Sequence, residues 1–204
     1  MTTTVVFYAT DTMSDWEYGY LLAGFAMAEG QVPGRFRVVV ASADGEPVTS
    51  LGGLRVMPET SLSRLSPEEI GSLVLPGAAT WEEEERHQIA LGLAADVLTA
   101  GGVVAAICGA TYGLARAGLL NDRDHTSNAA EYVAAAPGYD GAARYREAKV
   151  VTDRSLVTAP ATAPIDFARA VFEALEVFPP SVIEAWYGLY TTGERRFFDA
   201  LVAA

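Results

Sequence analysis

The sequence predicts an α/β protein: a doubly wound, mostly parallel sheet held between two layers of helices. Three observations lead there. Short β-branched apolar runs alternate along the chain with amphipathic stretches, the pattern of βα units and a parallel sheet. The runs are apolar throughout rather than strictly alternating, as central strands covered on both faces should be. At 204 residues, half of them apolar, the chain has the size and composition to bury such a core as one domain, residues 1–204, with a helical segment at about 180–204 closing it.

The strands are expected at Val5 to Ala9, Phe36 to Ala41, Ser72 to Leu75 and Val103 to Ile107. Helices are expected from Asp15 to Glu29, about Glu83 to Ala100, Ala110 to Ala117, Ala129 to Ala135 and Pro164 to Leu175. End signals support several of them: Asp15 as an N-cap, Gly30 as a C-cap, Gly101-Gly102 as a helix stop and Pro164 at a first helical position. Lys149 to Thr152 and Leu156 to Ala159, separated by Asp153-Arg154-Ser155, read as a hairpin. The aromatic-rich stretch from Ile183 to Val202, after Pro179-Pro180, reads as two helices packed on the domain or on a partner. The acidic run Glu82 to Glu85 reads as a solvated helix start, its charges opposing the helix dipole, and His87 beside it as a surface residue.

A formal charge of −12 with no basic cluster argues against nucleic acid and anionic membrane surfaces as partners. No apolar run approaches the roughly 18 residues of a membrane span, and no leader pattern opens the chain, so a cytoplasmic protein is expected. One cysteine cannot form an intramolecular disulfide, and Cys108, His87 and His125 are too few and too scattered for a structural zinc site. No cofactor and no metal are expected.

The most informative segment is Gly102-Val103-Val104-Ala105-Ala106-Ile107-Cys108-Gly109-Ala110. An apolar strand stops at Cys108 and a helix begins within two residues. The cysteine should therefore sit on a sharp elbow at the carboxyl end of a central strand, where open α/β sheets place their sites. Ala106, Gly109 and Ala110 are small enough for such a turn. The positive end of the helix that follows predicts a lowered thiol pKa and hence a reactive thiolate. On these residues alone, a buried cysteine serving as a small apolar side chain explains the pattern equally well.

Ala105 to Ala110, followed by Leu114-Ala115-Arg116-Ala117-Gly118-Leu119-Leu120, resembles the nucleophile-elbow segment of the ThiJ/PfpI family, within the class I glutamine amidotransferase-like superfamily. Leu73-Val74-Leu75-Pro76-Gly77-Ala78, Asp15-Trp16-Glu17-Tyr18 and the late Asp166-Phe167-Ala168 match in order and spacing, so the resemblance spans nearly the whole chain. It implies a three-layer, flavodoxin-like α/β/α sandwich with Cys108 as nucleophile. Glu17 matches the family's carboxylate: raised in pKa by a partly dry pocket, it would share a proton with the sulfur. Asp15 is the rival carboxylate, better explained as a cap. The N–H groups of Gly77 or Ala78 and of Gly109 are implied as an anion pocket.

The chain departs from the pattern in two places. Members with peptidase or amidase character carry a His immediately after the cysteine, where this chain has Gly109. Others supply a His from the next strand; ungapped alignment puts Asn128 there, with His125 three residues earlier. If Asp124 to Asn128 is extended, His125 and Asn128 face opposite ways and only one can meet the sulfur. His125 is retained as a candidate catalytic residue. Where relatives carry a basic Arg-Gly-Pro-Gly type turn this chain reads Thr158 to Ala163, which favours neutral or carbonyl-containing substrates over anionic ones.

The resemblance implies hydrolase, amidase, hydratase or glyoxalase-type chemistry on a small carbonyl or amide compound, with peptide hydrolysis disfavoured. The alternatives are a redox-responsive stress protein with an oxidisable Cys108, and a ligand-binding domain without catalysis. The resemblance also implies a homodimer, for which the Trp186 to Tyr190 and Phe197-Phe198 aromatics offer apolar surface.

Overall fold

A computed structural model describes residues 2–83 and 85–203. Its elements run β1 (Thr3–Tyr8), α1 (Asp15–Gln31), β2 (Phe36–Ser42), the short β3 (Val48–Thr49), β4 (Arg55–Val56) and β5 (Thr60–Ser61), then β6 (Ile70–Leu75), α2 (Gln88–Ala100), β7 (Val103–Ile107) and α3 (Gly109–Arg116). They continue with α4 (Ala130–Ala134), β8 (Val151–Asp153), β9 (Leu156–Ala159), α5 (Pro164–Ala174), α6 (Pro180–Thr192) and α7 (Arg195–Val202).

Seven strands form one sheet in the order β5-β2-β1-β6-β7-β9-β8, parallel except for the β8–β9 hairpin, while β3 and β4 pair separately. From β1 the chain winds outward to β2 and later returns to β6 on the other side. The carboxyl ends of β1, β6 and β7 therefore open together at the reversal of strand order, where a doubly wound sheet leaves a crevice.

Side chains alternate between the faces, and both faces are covered. Val5 and Phe7 of β1 with Ala105 and Ile107 of β7 join Phe167, Phe172 and Trp186 on one side; Val6, Tyr8, Val104 and Ala106 join Leu73, Trp81 and Leu91 on the other. This is the double burial that the unbroken apolar strands predict. Among the described residues no helix is long and apolar enough to cross a membrane.

Several end signals hold. Gly101 closes α2 in the left-handed conformation, at φ 89°, and Pro164 opens α5. Others need correction. The N-cap of α1 is Ser14, and Asp15, its first helical residue, accepts the Gly52 N–H at 2.7 Å. Gly30 lies inside α1, which runs on to Gln31; the left-handed turn falls instead at Gly34. α2 begins only at Gln88, so Glu82, Glu83 and Glu85 lie in the preceding loop, and Glu84 is outside the described residues.

The two expected terminal helices are α6 and α7. Trp186 is buried against Phe172 and Tyr20, while Tyr190 and Phe198 stay about half exposed. Packing within the subunit therefore accounts for the first aromatic and leaves the other two uncovered.

Candidate functional site

β7 delivers Cys108 to the open end of the sheet. The residue takes φ 59° and ψ −125°, a conformation that L side chains rarely adopt and that costs on the order of 1–3 kcal/mol. The strain is held in place from both sides: the Cys108 N–H donates to Ala159 O on β9 at 2.9 Å, and its carbonyl accepts the Thr111 N–H at 3.1 Å as α3 starts. A thiol forced into this bend is aimed out of the sheet, and Cys108 is partly exposed.

The turn after β6 packs against it closely. A β-carbon on Gly77 would stand 2.6 Å from Cys108 Cβ, 2.6 Å from Glu17 Oε2 and 2.9 Å from the sulfur, so only glycine fits. Gly109 and Gly113 play the same part toward Trp81, whose ring lies over the start of α3 and whose indole N–H donates to Pro76 O at 2.8 Å.

Glu17, in the first turn of α1, is fully buried and directed at this point. Its Oε2 accepts the Gly77 N–H at 2.6 Å, while Oε1 has no hydrogen-bond partner among the described residues. Burial raises its pKa above the ordinary carboxyl value, against the opposing effect of the Gly77 N–H and, less, of the nearby Cys108 thiol and Ser14 hydroxyl. The rival Asp15 lies in a different setting. Hydrogen bonds, first from Ser50, lower its pKa, and it serves the Gly52 turn.

The thiol does not follow the helix-dipole expectation. Burial, and next the charge of Glu17, push it up to about 11. Both groups are raised because the pocket excludes water, and ionising either one penalises the other. A single negative charge is thus the most the pair holds near neutrality, and moving it between oxygen and sulfur leaves the net charge unchanged.

On the open side of the sulfur stands Asn128, whose Nδ2 donates to Sγ at 3.3 Å and whose Oδ1 accepts the Ala161 N–H at 2.8 Å. The Gly109 N–H also favours a charged sulfur. Of the expected anion-pocket donors, Gly77 is therefore committed to Glu17, leaving Gly109 at the sulfur and Ala78, partly exposed, in the adjoining turn.

His125 is brought elsewhere. It is buried, with Nδ1 against Arg123 O at 2.8 Å and Nε2 against the Tyr139 hydroxyl at 2.8 Å. Its segment makes only an isolated bridge to Tyr145 rather than a strand, yet the extended alternation holds: Ser127 turns to Thr111 and Asn128 to the sulfur.

His87 requires the plainest correction. Far from the surface, it is fully buried, stacked on Trp81 at 4.0 Å, with Nδ1 against the Tyr8 hydroxyl at 2.9 Å and Nε2 against Thr80 Oγ1 at 3.0 Å. The acidic loop before it carries the charge outward while Trp81 and His87 fold beneath. Burial pushes its pKa down to about 4. Trp16, beside Glu17 in α1, is 56% exposed and lines an apolar groove with Tyr20, Met27, Trp186 and Tyr190. Sequence reasoning gave no role to Tyr132, which packs on Tyr112 with ring centroids 5.3 Å apart and whose pKa is raised by burial first, then by the charges of Glu82 and Cys108.

Comparison with known proteins identifies the family and the fold. Residues 3–174 match the DJ-1/PfpI family. The chain is 40% identical to the uncharacterized protease YoaZ of Bacillus subtilis (strain 168), over 97% of its length and 95% of the relative's. It is 32% identical over 90 residues, 44% of this chain and 54% of the other, to the deglycase PH1704 of Pyrococcus horikoshii. Among solved structures, a thiJ/pfpI family protein from Bacillus anthracis superposes with a TM-score of 0.93 at 39% identity, covering 100% of this chain and 97% of that one. A DJ-1 superfamily protein from Agrobacterium tumefaciens gives 0.82 at 36%, covering 94% and 99%.

Proposed function

Since this chain belongs to the DJ-1/PfpI family, we propose that it is a cysteine-dependent enzyme in which Cys108 adds to the carbonyl carbon of a small compound and Glu17 relays the proton. The observation that carries this reading is the strained, partly exposed Cys108 set against a fully buried carboxyl with one unpartnered oxygen. Unpaired polar atoms in a dry interior are costly, and they persist where they act.

The chemistry follows from the pair. Glu17 as carboxylate takes the thiol proton while sulfur attacks the carbonyl carbon. The proton then passes to the new alkoxide, which the Gly109 and Ala78 N–H groups would stabilise. With methylglyoxal the adduct is a thiohemiacetal; moving its C–H proton to the neighbouring carbonyl carbon gives a lactoyl thioester, which water cleaves to lactate and the free thiol. An amide or ester gives a thioester directly, expelling amine or alcohol. Peptide hydrolysis is disfavoured, because the neighbour at the sulfur is the carboxamide of Asn128, which is no base.

The donors around the sulfur favour one further reading, oxidation of Cys108 to a sulfinic acid under peroxide stress, since a sulfur-bound oxygen suits the same N–H groups. Methylglyoxal, a small dicarbonyl, separates the two. Its consumption should be lost in Cys108→Ser and fall by about 10²-fold or more in Glu17→Gln. A Cys108→Ser protein with the wild-type rate would end the proposal. Untouched methylglyoxal with peroxide modification confined to Cys108 would select the oxidation reading instead.

For quaternary structure the proposal is a homodimer, supported by the apolar groove between α1 and α6 that exposes Trp16, Met27 and Tyr190.

A further inference from the structure

The reactive sulfur lies between two unlike neighbours. Beneath it is Glu17, fully buried and bonded through one oxygen to the Gly77 N–H. Above it, toward solvent, is Asn128, an exposed residue. The Asn128 side chain is not free to turn over. Its oxygen is taken by the Ala161 N–H at 2.8 Å, which leaves the amide nitrogen, a donor with no basic lone pair, facing the sulfur at 3.3 Å. The chain has two histidines, and neither offers a base there: His125 is bonded to Arg123 O and the Tyr139 hydroxyl, His87 to Tyr8 and Thr80.

We infer that Asn128 makes hydrolysis of a thioester intermediate at Cys108 the slow step, so that esters acylate the sulfur faster than water frees it. This rests on the reading of Cys108 as a nucleophile. A thiohemiacetal forms and reverts with one proton moving between sulfur, Glu17 and the alkoxide, and no water is needed. A thioester is different. To cleave it, water must form a C–O bond as the C–S bond breaks, and the water proton must go to a base on the open side of the sulfur. Asn128 occupies that side and cannot accept a proton. Glu17 lies on the buried side, behind the sulfur that carries the acyl group.

p-Nitrophenyl acetate tests this. Attack by the Cys108 thiolate, its proton passing to Glu17, forms the C–S bond and expels p-nitrophenolate, leaving an acetyl thioester visible by intact mass. The wild-type protein should release about one equivalent of p-nitrophenolate in a burst and then turn over slowly, with the acetylated mass persisting. Asn128→His should keep the burst and speed the slow phase by about 10-fold or more, since a placed general base is worth at least that. Free imidazole added to acetylated wild-type protein should likewise hasten loss of the acetyl mass, a measurement independent of any variant. A burst that runs directly into fast turnover in the wild type, or an acetyl-enzyme indifferent to both Asn128→His and imidazole, overturns the role of Asn128 and leaves the nucleophile standing. Absence of any acetylation that Cys108→Ser removes overturns the nucleophile, and the inference with it.

Discussion

Gly77→Ala is expected to cost the protein its activity on methylglyoxal by about 10²-fold or more while leaving it folded. The new methyl would have to share space with Cys108 Cβ and Glu17 Oε2, both 2.6 Å away, and with the sulfur at 2.9 Å. None of these can step aside cheaply. Cys108 is fixed in a left-handed elbow by the hydrogen bond from its N–H to Ala159, and Glu17 is enclosed on all sides. The carboxyl and the sulfur must separate, and a displacement of about 1 Å between reacting groups is enough for a loss of that size. Overpacking should also lower stability by about 1–3 kcal/mol. Gly92→Ala is the matched control: it lies on the exposed side of α2 with nothing within 4 Å of its would-be β-carbon, and should leave activity unchanged and raise stability slightly. Wild-type turnover in Gly77→Ala would show that the close contact between the β6 turn and the elbow does not matter to the chemistry.

Acid should destabilise the fold through His87. Its imidazole titrates near 6.5 when free and near 4 in its buried place between Trp81, Tyr8 and Thr80. Between those pH values the unfolded chain binds a proton that the folded chain refuses. Stability from this residue is therefore complete above about pH 6.5 and is lost as pH falls toward 4, in total about 3 kcal/mol. For a chain of this length that is on the order of 6–12 °C in Tm. His87→Gln keeps a donor and an acceptor but cannot titrate, so this portion of the pH dependence should vanish while the variant is less stable at neutrality. Equal Tm slopes between pH 6.5 and 4 in the two proteins would contradict the buried, neutral imidazole. The residue matters to the site because Trp81, stacked on it, lies against Gly109 and Gly113 behind the cysteine elbow.

What could be read in the sequence divides along local and non-local lines. The sheet and its principal strands were legible because burial on both faces leaves unbroken apolar runs. The elbow was legible because a strand ending in Cys-Gly-Ala has few other ways to continue. Glu17 needed the family resemblance, since a carboxylate in a first helical turn looks ordinary and only the return of β6 beside β1 buries it. His87 was misread from its charged neighbours: nothing local to residues 82–86 signals that Trp81 folds the following histidine inward. The direction of the thiol pKa was misjudged for a related reason. The helix start was visible in the sequence, whereas the exclusion of water and the nearby carboxyl were not. The two-residue strands β3 and β4 are too short to leave a periodic trace. Extended alternation did separate His125 from Asn128, but which of them meets the sulfur depends on Ala161 and Tyr139, far along the chain.

The central claim, that Cys108 and Glu17 act as one proton-sharing pair, is tested most directly by the pH dependence of Cys108 alkylation in the wild type and in Glu17→Gln, with Cys108→Ser as the blank. The wild-type thiol should titrate above an ordinary cysteine, toward about 11 once Glu17 is charged. Removing that charge should move the midpoint downward and make Glu17→Gln the faster protein to alkylate at neutral pH, even as it turns over methylglyoxal more slowly. A midpoint that does not move with Glu17 would contradict the pair and leave the buried carboxyl without its proposed part in the chemistry.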